Sequence, residues 1–259
     1  MIDIQNKLDY RRLDIKKVGV KDIKYPIVVY DKYNKFQPTV ARFNMYVNLP
    51  HHFKGTHMSR FIEVLNAYRG MINPKTLFSM MDEMKRKLKA ESAHLELEFP
   101  YFIEKQAPVT KEKSMMEYTC RFLAESDSKK VLFVELDVPI TTLCPCSKNM
   151  CEHGAHNQRG RITVRLKYNK FFWIEDVIEI IENSASCEIY SLLKRPDEKF
   201  VTEKAYNNPM FVEDIVRNVA INLNTIEEVT WQYIEAENFE SIHNHSAYAL
   251  VENNNSVSE

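Results

Sequence analysis

ARFNMYVNL, residues 41–49, alternates along its whole length. Ala41, Phe43, Met45, Val47 and Leu49 fall on one side, and Arg42, Asn44, Tyr46 and Asn48 on the other. Successive side chains of a strand point to opposite faces, so the stretch reads as a half-buried strand. Residues 18–31 supply its expected partner. Pro26 places that partner at an edge or bulge, because proline cannot donate to a ladder. Downstream the period changes. Met58, Phe61, Ile62 and Leu65 keep helical spacing. So do Leu77, Met80, Met81, Met84 and Leu88, after an Asn73-Pro74 pair suited to an N-cap and first turn. Strand alternation returns at 93–103 and 115–124.

The second half repeats this order. Strands are expected at 130–139 and 159–168, helices at 171–184 and 210–223, and strands at 227–236 and 245–251. Each half thus reads β-β-α-α-β-β, an α+β unit with an antiparallel sheet and helices on one face. The polar stretch 125–129 marks the boundary, giving modules at 1–126 and 127–259, the second carrying most of the chemistry-bearing residues. The repeat is one of pattern, not of residues. Such units have open sheet edges, which pairing with further copies would cover, so an oligomer is expected.

Composition narrows the function. Lys plus Arg (35) balances Asp plus Glu (36), so bulk charge gives no support for nucleic-acid binding. No apolar stretch approaches 18 residues and the first residues lack a signal-like apolar core, so neither membrane insertion nor export is expected. The expected location is cytoplasmic, where the five cysteines stay reduced and a cluster of them reads as metal chemistry. The polar end, VENNNSVSE, is expected to fray.

That cluster is LCPCSKNMCEHGAHNQR, residues 143–159, with three Cys and two His between positions 144 and 156. Thiolate and imidazole suit borderline-soft divalent metals. The spacing matches no common zinc finger, and Pro145 stiffens the loop between two thiols. One or two local ligands are expected, with others arriving from elsewhere, the plan of a catalytic site that keeps a position open. A closed structural zinc site and ordinary buried thiols are the competing readings. Cys120 and Cys187 lie on patterned elements and read as packing residues.

Distant ligands have two sources. One is KRPDEK, 194–199, read as a charged loop that is otherwise a solvated surface run. The other is SIHNHS, 241–246, which joins the last strands and is otherwise a polar turn. KGTHMSR, 54–60, opens a helix whose N–H groups favour an anion, or is simply capped by Thr56.

VPITTLCPCSK and GAHNQRG (138–160), KGTHMSRF (54–61), LKRPDEKFVTEKAYNNPMFVEDIVR (193–217) and SIHNHSAYA (241–249) together resemble the prokaryotic type IB GTP cyclohydrolases, in the same order, from about Val18 to Val251. The resemblance implies tandem tunnelling-fold modules in a homotetramer with active sites at chain interfaces. It implies conversion of GTP and water to 7,8-dihydroneopterin triphosphate and formate, the first step of folate synthesis. It places metal ligands on Cys144, His156, Glu198 and His243, and the purine-anchoring carboxylate on Glu213. Zinc is the expected ion, with manganese or iron(II) compatible. Cys151 and His153 depart from the family pattern and leave the ligand set open at that point. A related nitrile reductase with a cysteine nucleophile, or a zinc-stabilised interaction protein, are the rival readings.

The chemistry asks for specific partners. A divalent ion with an open position makes hydroxide available at neutral pH. An imidazole suits the proton transfers, and His57 and His153 are candidates. Glu213 would accept from the guanine N1–H and 2-amino group, which adenine cannot match. Lys54, His57, Arg60, Lys148, Arg159, Lys194 and Arg195 form the pool for the triphosphate.

Overall fold

The computed structural model describes residues 5, 8–68 and 70–254. Its elements run β1 (Ile15–Asp31), β2 (Lys35–Leu49), α1 (Met58–Ala67), β3 (Gly70–Met71), α2 (Pro74–Leu88), β4 (Ala93–Gln106), β5 (Lys113–Ser126), β6 (Lys130–Leu143) and α3 (Pro145–Met150). They continue with β7 (Asn157–Tyr168), α4 (Ile174–Asn183), β8 (Cys187–Glu188), α5 (Arg195–Asn207), α6 (Val212–Leu223), β9 (Val229–Phe239) and β10 (Ser246–Asn254). All twelve elements anticipated by alternation or helical spacing are present, several of the strands longer than expected. The reason is that alternation fades toward strand ends while the backbone ladder continues. The tail illustrates this: Val251–Asn254 pair with β9 instead of fraying, and 255–259 lie outside the described residues.

By compactness the chain divides into one unit of residues 1–100 and 121–134 and another of 101–120 and 135–259. Strands β4, β5 and β6 each contribute residues to both. In the first unit the strand order is β6-β5-β4-β2-β1-β3. β1 is bulged near Asp22 and touches β3 only at Ile27 and Val28, so Pro26 sits beside an open edge as expected. Phe43, Met45, Val47, Leu95 and Leu97 from the strands meet Phe61, Leu65, Leu77, Met80, Met81 and Met84 from the helices, all buried. Each such side chain removed from water stabilises the fold by about 1.5–3 kcal/mol. Asn73 caps α2 by accepting from Thr76 N at 2.9 Å, with Pro74 at the first position. The N-cap of α1 is His57, not Thr56, and it makes no side-chain cap bond; Thr56 is buried instead.

In the second unit the order is β10-β9-β7-β6-β5-β4, with β8 off β6. Ile162, Val164, Leu166, Ile234 and Ala236 pack under Val177, Ile178, Ile181, Ile215, Val219 and Leu223 of α4 and α6. Two helices here escaped the sequence reading. Residues 194–199, expected as a loop, open α5. That helix buries only Asp197 and Ala205, so it has no apolar stripe to announce it. Side chains hold it at both ends: Asp197 accepts from Lys194 N at 2.9 Å, and Lys204 Nζ bonds Glu188. The six-residue α3 is too short to show a period. Among the described residues no helix is long and apolar enough to cross a membrane.

Candidate functional site

The Cys/His segment begins where β6 ends. Three segments meet around Leu143: its N–H donates to Ser186 Oγ at 3.2 Å, and its carbonyl accepts from Met210 N at 3.1 Å. Asn208 reinforces this by donating to the carbonyls of Ala185 and Ser186. The chain then turns into α3, with Cys144 as N-cap and Pro145 at the first position, where its missing N–H costs nothing. Cys144 Sγ accepts from Ser147 N at 3.4 Å. Buried Ser147 Oγ accepts from His156 N at 3.2 Å and lies 3.8 Å from Cys151 Sγ. Cys144 N donates to His156 O at 3.2 Å. Cys144 and His156, twelve residues apart, are thereby fastened together through the backbone and one serine. Cys146 and Cys151 are exposed.

His156 is tied on its other side as well. Its Nδ1 lies 3.0 Å from Gln158 Oε1 and 3.8 Å from Glu240 Oε2. Gln158 Nε2 donates to Thr142 Oγ1 at 2.9 Å, and both residues are buried. His243 Nδ1 stands 3.9 Å from the same Glu240 oxygen, and its ring stacks on His245 at 4.9 Å between centroids. Glu240 therefore faces two of the expected ligands, a relation the sequence reading missed. The only available signal was a carboxylate three residues before His243. Gly160, at the close of the NQRG run, is needed for space: a Cβ there would lie 2.7 Å from Asn238 Oδ1 and 3.2 Å from the Glu237 carbonyl.

Glu198 and Glu213 make no hydrogen bond or ion pair with this cluster among the described residues. Glu198 is exposed on the first turn of α5, beside exposed Lys194 and Arg195. Its neighbour Asp197 is fully buried and accepts from Val109 N (2.8 Å), Thr110 N (2.9 Å), Thr110 Oγ1 (2.6 Å) and Lys194 N. Burial pushes the Asp197 carboxyl up, but these hydrogen bonds outweigh it and hold it well below the usual carboxylate range. Glu213 is exposed in the first turn of α6. The cap bond there is made by Asp214, which accepts from Phe211 N at 3.1 Å. Among the described residues the Glu213 carboxylate makes no hydrogen bond or ion pair, so capping does not occupy it.

The cations divide in the same way. Lys148 Nζ donates to Tyr206 O at 2.5 Å and lies over the Tyr206 ring. In the first unit Arg60 Nη1 donates to Lys87 O at 2.7 Å, while Lys54 is exposed. Arg159 is exposed on β7, and His153 is exposed in the loop before it. Cys120 and Cys187 are buried, and burial pushes the Cys187 thiol up to about 12, so it stays an inert packing group.

The donor chemistry fits a borderline divalent ion. Cys144 offers a sulfur, and His156, whose Nδ1 faces an amide oxygen, offers its Nε2, the donor types such an ion takes. Among the described residues no three His, Cys, Asp or Glu side chains converge closely enough to hold an ion as they stand.

A family model described as type I GTP cyclohydrolase folE2 matches residues 1–249. The GTP cyclohydrolase FolE2 of Syntrophus aciditrophicus (strain SB) is 60% identical over 253 residues, covering 97% of this chain and 99% of that protein. The GTP cyclohydrolase FolE2 of Geobacter sulfurreducens is 60% identical over 252 residues, covering 97% and 98%. Among solved structures, a uricase from Bacillus fastidious aligns with a TM-score of 0.58 at 8% identity, covering 93% of both chains. The uricase from Arthrobacter globiformis aligns at 0.52 and 9%, covering 92% of both. At such identities the uricase likeness concerns the fold alone.

Proposed function

The chain belongs to the type I GTP cyclohydrolase folE2 family and is a GTP cyclohydrolase, and on that premise we propose that it converts GTP and water to 7,8-dihydroneopterin triphosphate and formate, the first step of folate biosynthesis, at a metal site in its second half. The observation that carries the reading is the fastening of Cys144 to His156 through Ser147, with Glu240 facing both His156 and His243. Cys144, His156, Glu198 and His243 are the proposed ligands of one divalent ion, zinc first, with manganese or iron(II) as compatible alternatives. Held by these residues, such an ion would make hydroxide available at neutral pH.

The remaining roles belong to the chain. Glu213 accepts from the guanine N1–H and 2-amino group. Its carboxylate is suited to that work because Asp214 carries the helix cap. Lys54, His57, Arg60, Lys148, Arg159, Lys194 and Arg195 are the triphosphate pool. Lys54, Arg159, Lys194 and Arg195 are its stronger members, since they are exposed while Arg60 and Lys148 already hold carbonyls. His57 and His153 remain the imidazoles suited to the proton transfers.

The architecture we propose is a pair of tunnelling-fold modules, 1–126 and 127–259, in a cytoplasmic homotetramer with active sites between chains. Support comes from the twice-repeated strand and helix order and from a difference between edge strands. β1 carries Lys16, Lys17, Lys21, Lys24, a bulge and Pro26, which discourage further pairing. β10, SAYALVENN, carries none of these. The direct test is to load the protein with zinc, manganese or iron(II) and supply GTP. Formate release and neopterin fluorescence after oxidation and dephosphorylation are expected. Metal-loaded, folded protein that leaves GTP intact would refute the reaction, and an active monomer in sedimentation would refute the assembly.

A further inference from the structure

We propose that Gln158 is a positioning residue that fixes the tautomer and ring orientation of His156, so that the Nε2 lone pair is held ready for a divalent metal. The proposal rests on the reading of His156 as a ligand. Neutral imidazole carries its proton on either nitrogen, and only the other nitrogen can bind a metal. A ligand histidine left to both tautomers loses affinity to the wrong one.

The geometry favours one of the two. His156 Nδ1 has two oxygen neighbours, Gln158 Oε1 at 3.0 Å and Glu240 Oε2 at 3.8 Å. A carboxylate oxygen accepts only, so a proton on Nδ1 satisfies both neighbours and a lone pair there would face two others. Of the two, only the Gln158 oxygen is within hydrogen-bond distance. The amide has a second partner behind it. Its Nε2 donates to Thr142 Oγ1 at 2.9 Å, and Thr142 is completely buried on β6. Gln158 is only 6% exposed, so water does not readily replace either bond. The sequence places Gln158 two residues after His156 at the start of β7. Gln158 is buried there like Gly160 and Ile162 beyond it, and Thr142 is buried near the end of the neighbouring strand β6.

The test compares Gln158→Leu, which keeps the size but accepts nothing, with Gln158→Glu, which restores an acceptor, and with His156→Ala. Zinc and manganese affinity of the full-length protein is read by chelator competition. The His156 tautomer in metal-free protein is read by ¹⁵N NMR of histidine-labelled samples, assigned through His156→Ala. We expect Nδ1–H in the wild type and in Gln158→Glu. We expect mixed tautomers and a loss of affinity of about ten- to a hundredfold in Gln158→Leu. Should Gln158→Leu not fold, Gln158→Met carries the same measurement. Unchanged tautomer and affinity in the folded apolar variant, with affinity lost in His156→Ala, would overturn the role of Gln158 alone. Unchanged affinity in His156→Ala would overturn the ligand reading and the proposal with it.

Discussion

The two compact units are built from similar elements but bury different things. Among the described residues the first unit buries only Asp31, Thr56 and Ser126 as polar side chains, against a core of Phe, Met, Leu and Val. The second buries eleven, including Thr142, Ser147, Gln158, Asp197 and Asn238. A buried polar group costs stability unless it is hydrogen-bonded, and even then the net gain is small. The second unit therefore gives up apolar packing for orientation. Most of its buried polar side chains touch the ends of β6, β7 and β9 or the helix α5, where the candidate site residues lie. The first unit reads as scaffold, the second as scaffold plus chemistry.

Substitutions can break that contrast, and they are ordered here by their effect on turnover. Cys144→Ala should reduce GTP turnover to background and lower bound metal per chain. Cys120→Ala, at a fully buried position on β5, should leave both near wild type while costing about 1 kcal/mol of stability. Metal analysis and formate release on the two variants decide it, and full activity in the Cys144 variant would end the assignment. Next comes Glu213→Gln. Hydrogen bonds to a charged acceptor are worth about 1.5–3 kcal/mol each, so kcat/KM for GTP should fall about a hundredfold with metal content and folding unchanged. A helix-dipole role alone would leave kcat/KM where it was.

Asp197→Asn should act through α5. Its folded carboxyl lies below the usual range, while an unfolded aspartate titrates near ~3.9. The charge therefore adds stability above about pH 4 that is lost as pH falls through the folded value. The variant should show a lower urea midpoint at pH 7, with the gap to wild type narrowing in acid. A gap that is constant or widens as pH falls would show that the carboxylate is not what anchors α5. The smallest effect on turnover belongs to the first unit. Met81→Ala, at a fully buried position, should cost about 2–5 kcal/mol of stability yet leave kcat of the folded, metal-loaded enzyme unchanged. A large loss of kcat there would erase the distinction between the units.

How much of this was legible follows the same division. The alternation of 41–49 and the helical spacing of Leu77 to Leu88 announced the first unit almost completely, because its elements bury one apolar face each. The second unit was legible where it behaves likewise, in α4, α6 and β7. It was not legible at α5, whose RPDEKFVTEKAYN has no apolar period and whose stability comes from Asp197 and Lys204 reaching residues far away in the chain. Of the candidate site, the Cys/His segment and the 241–246 stretch stood out by residue type, while the choice of Cys144, His156 and His243 within them came from the family resemblance. Glu240 and Gln158 did not stand out, because a glutamate near a turn and a glutamine in a strand are ordinary surface choices.

By itself, then, the sequence determined the order of the twelve periodic elements, their apolar faces, the position of the Cys/His segment and the family. These depend on local periodicity and on residue chemistry, which are read along the chain. Only the tertiary structure decided that Ser147 fastens Cys144 to His156, that Glu240 faces both His156 and His243, and that Asp214, not Glu213, caps α6. The first two depend on which atoms come within about 3–4 Å, a distance set by the packing of strands and loops and not by the spacing of letters, and the third on where the backbone enters the helix.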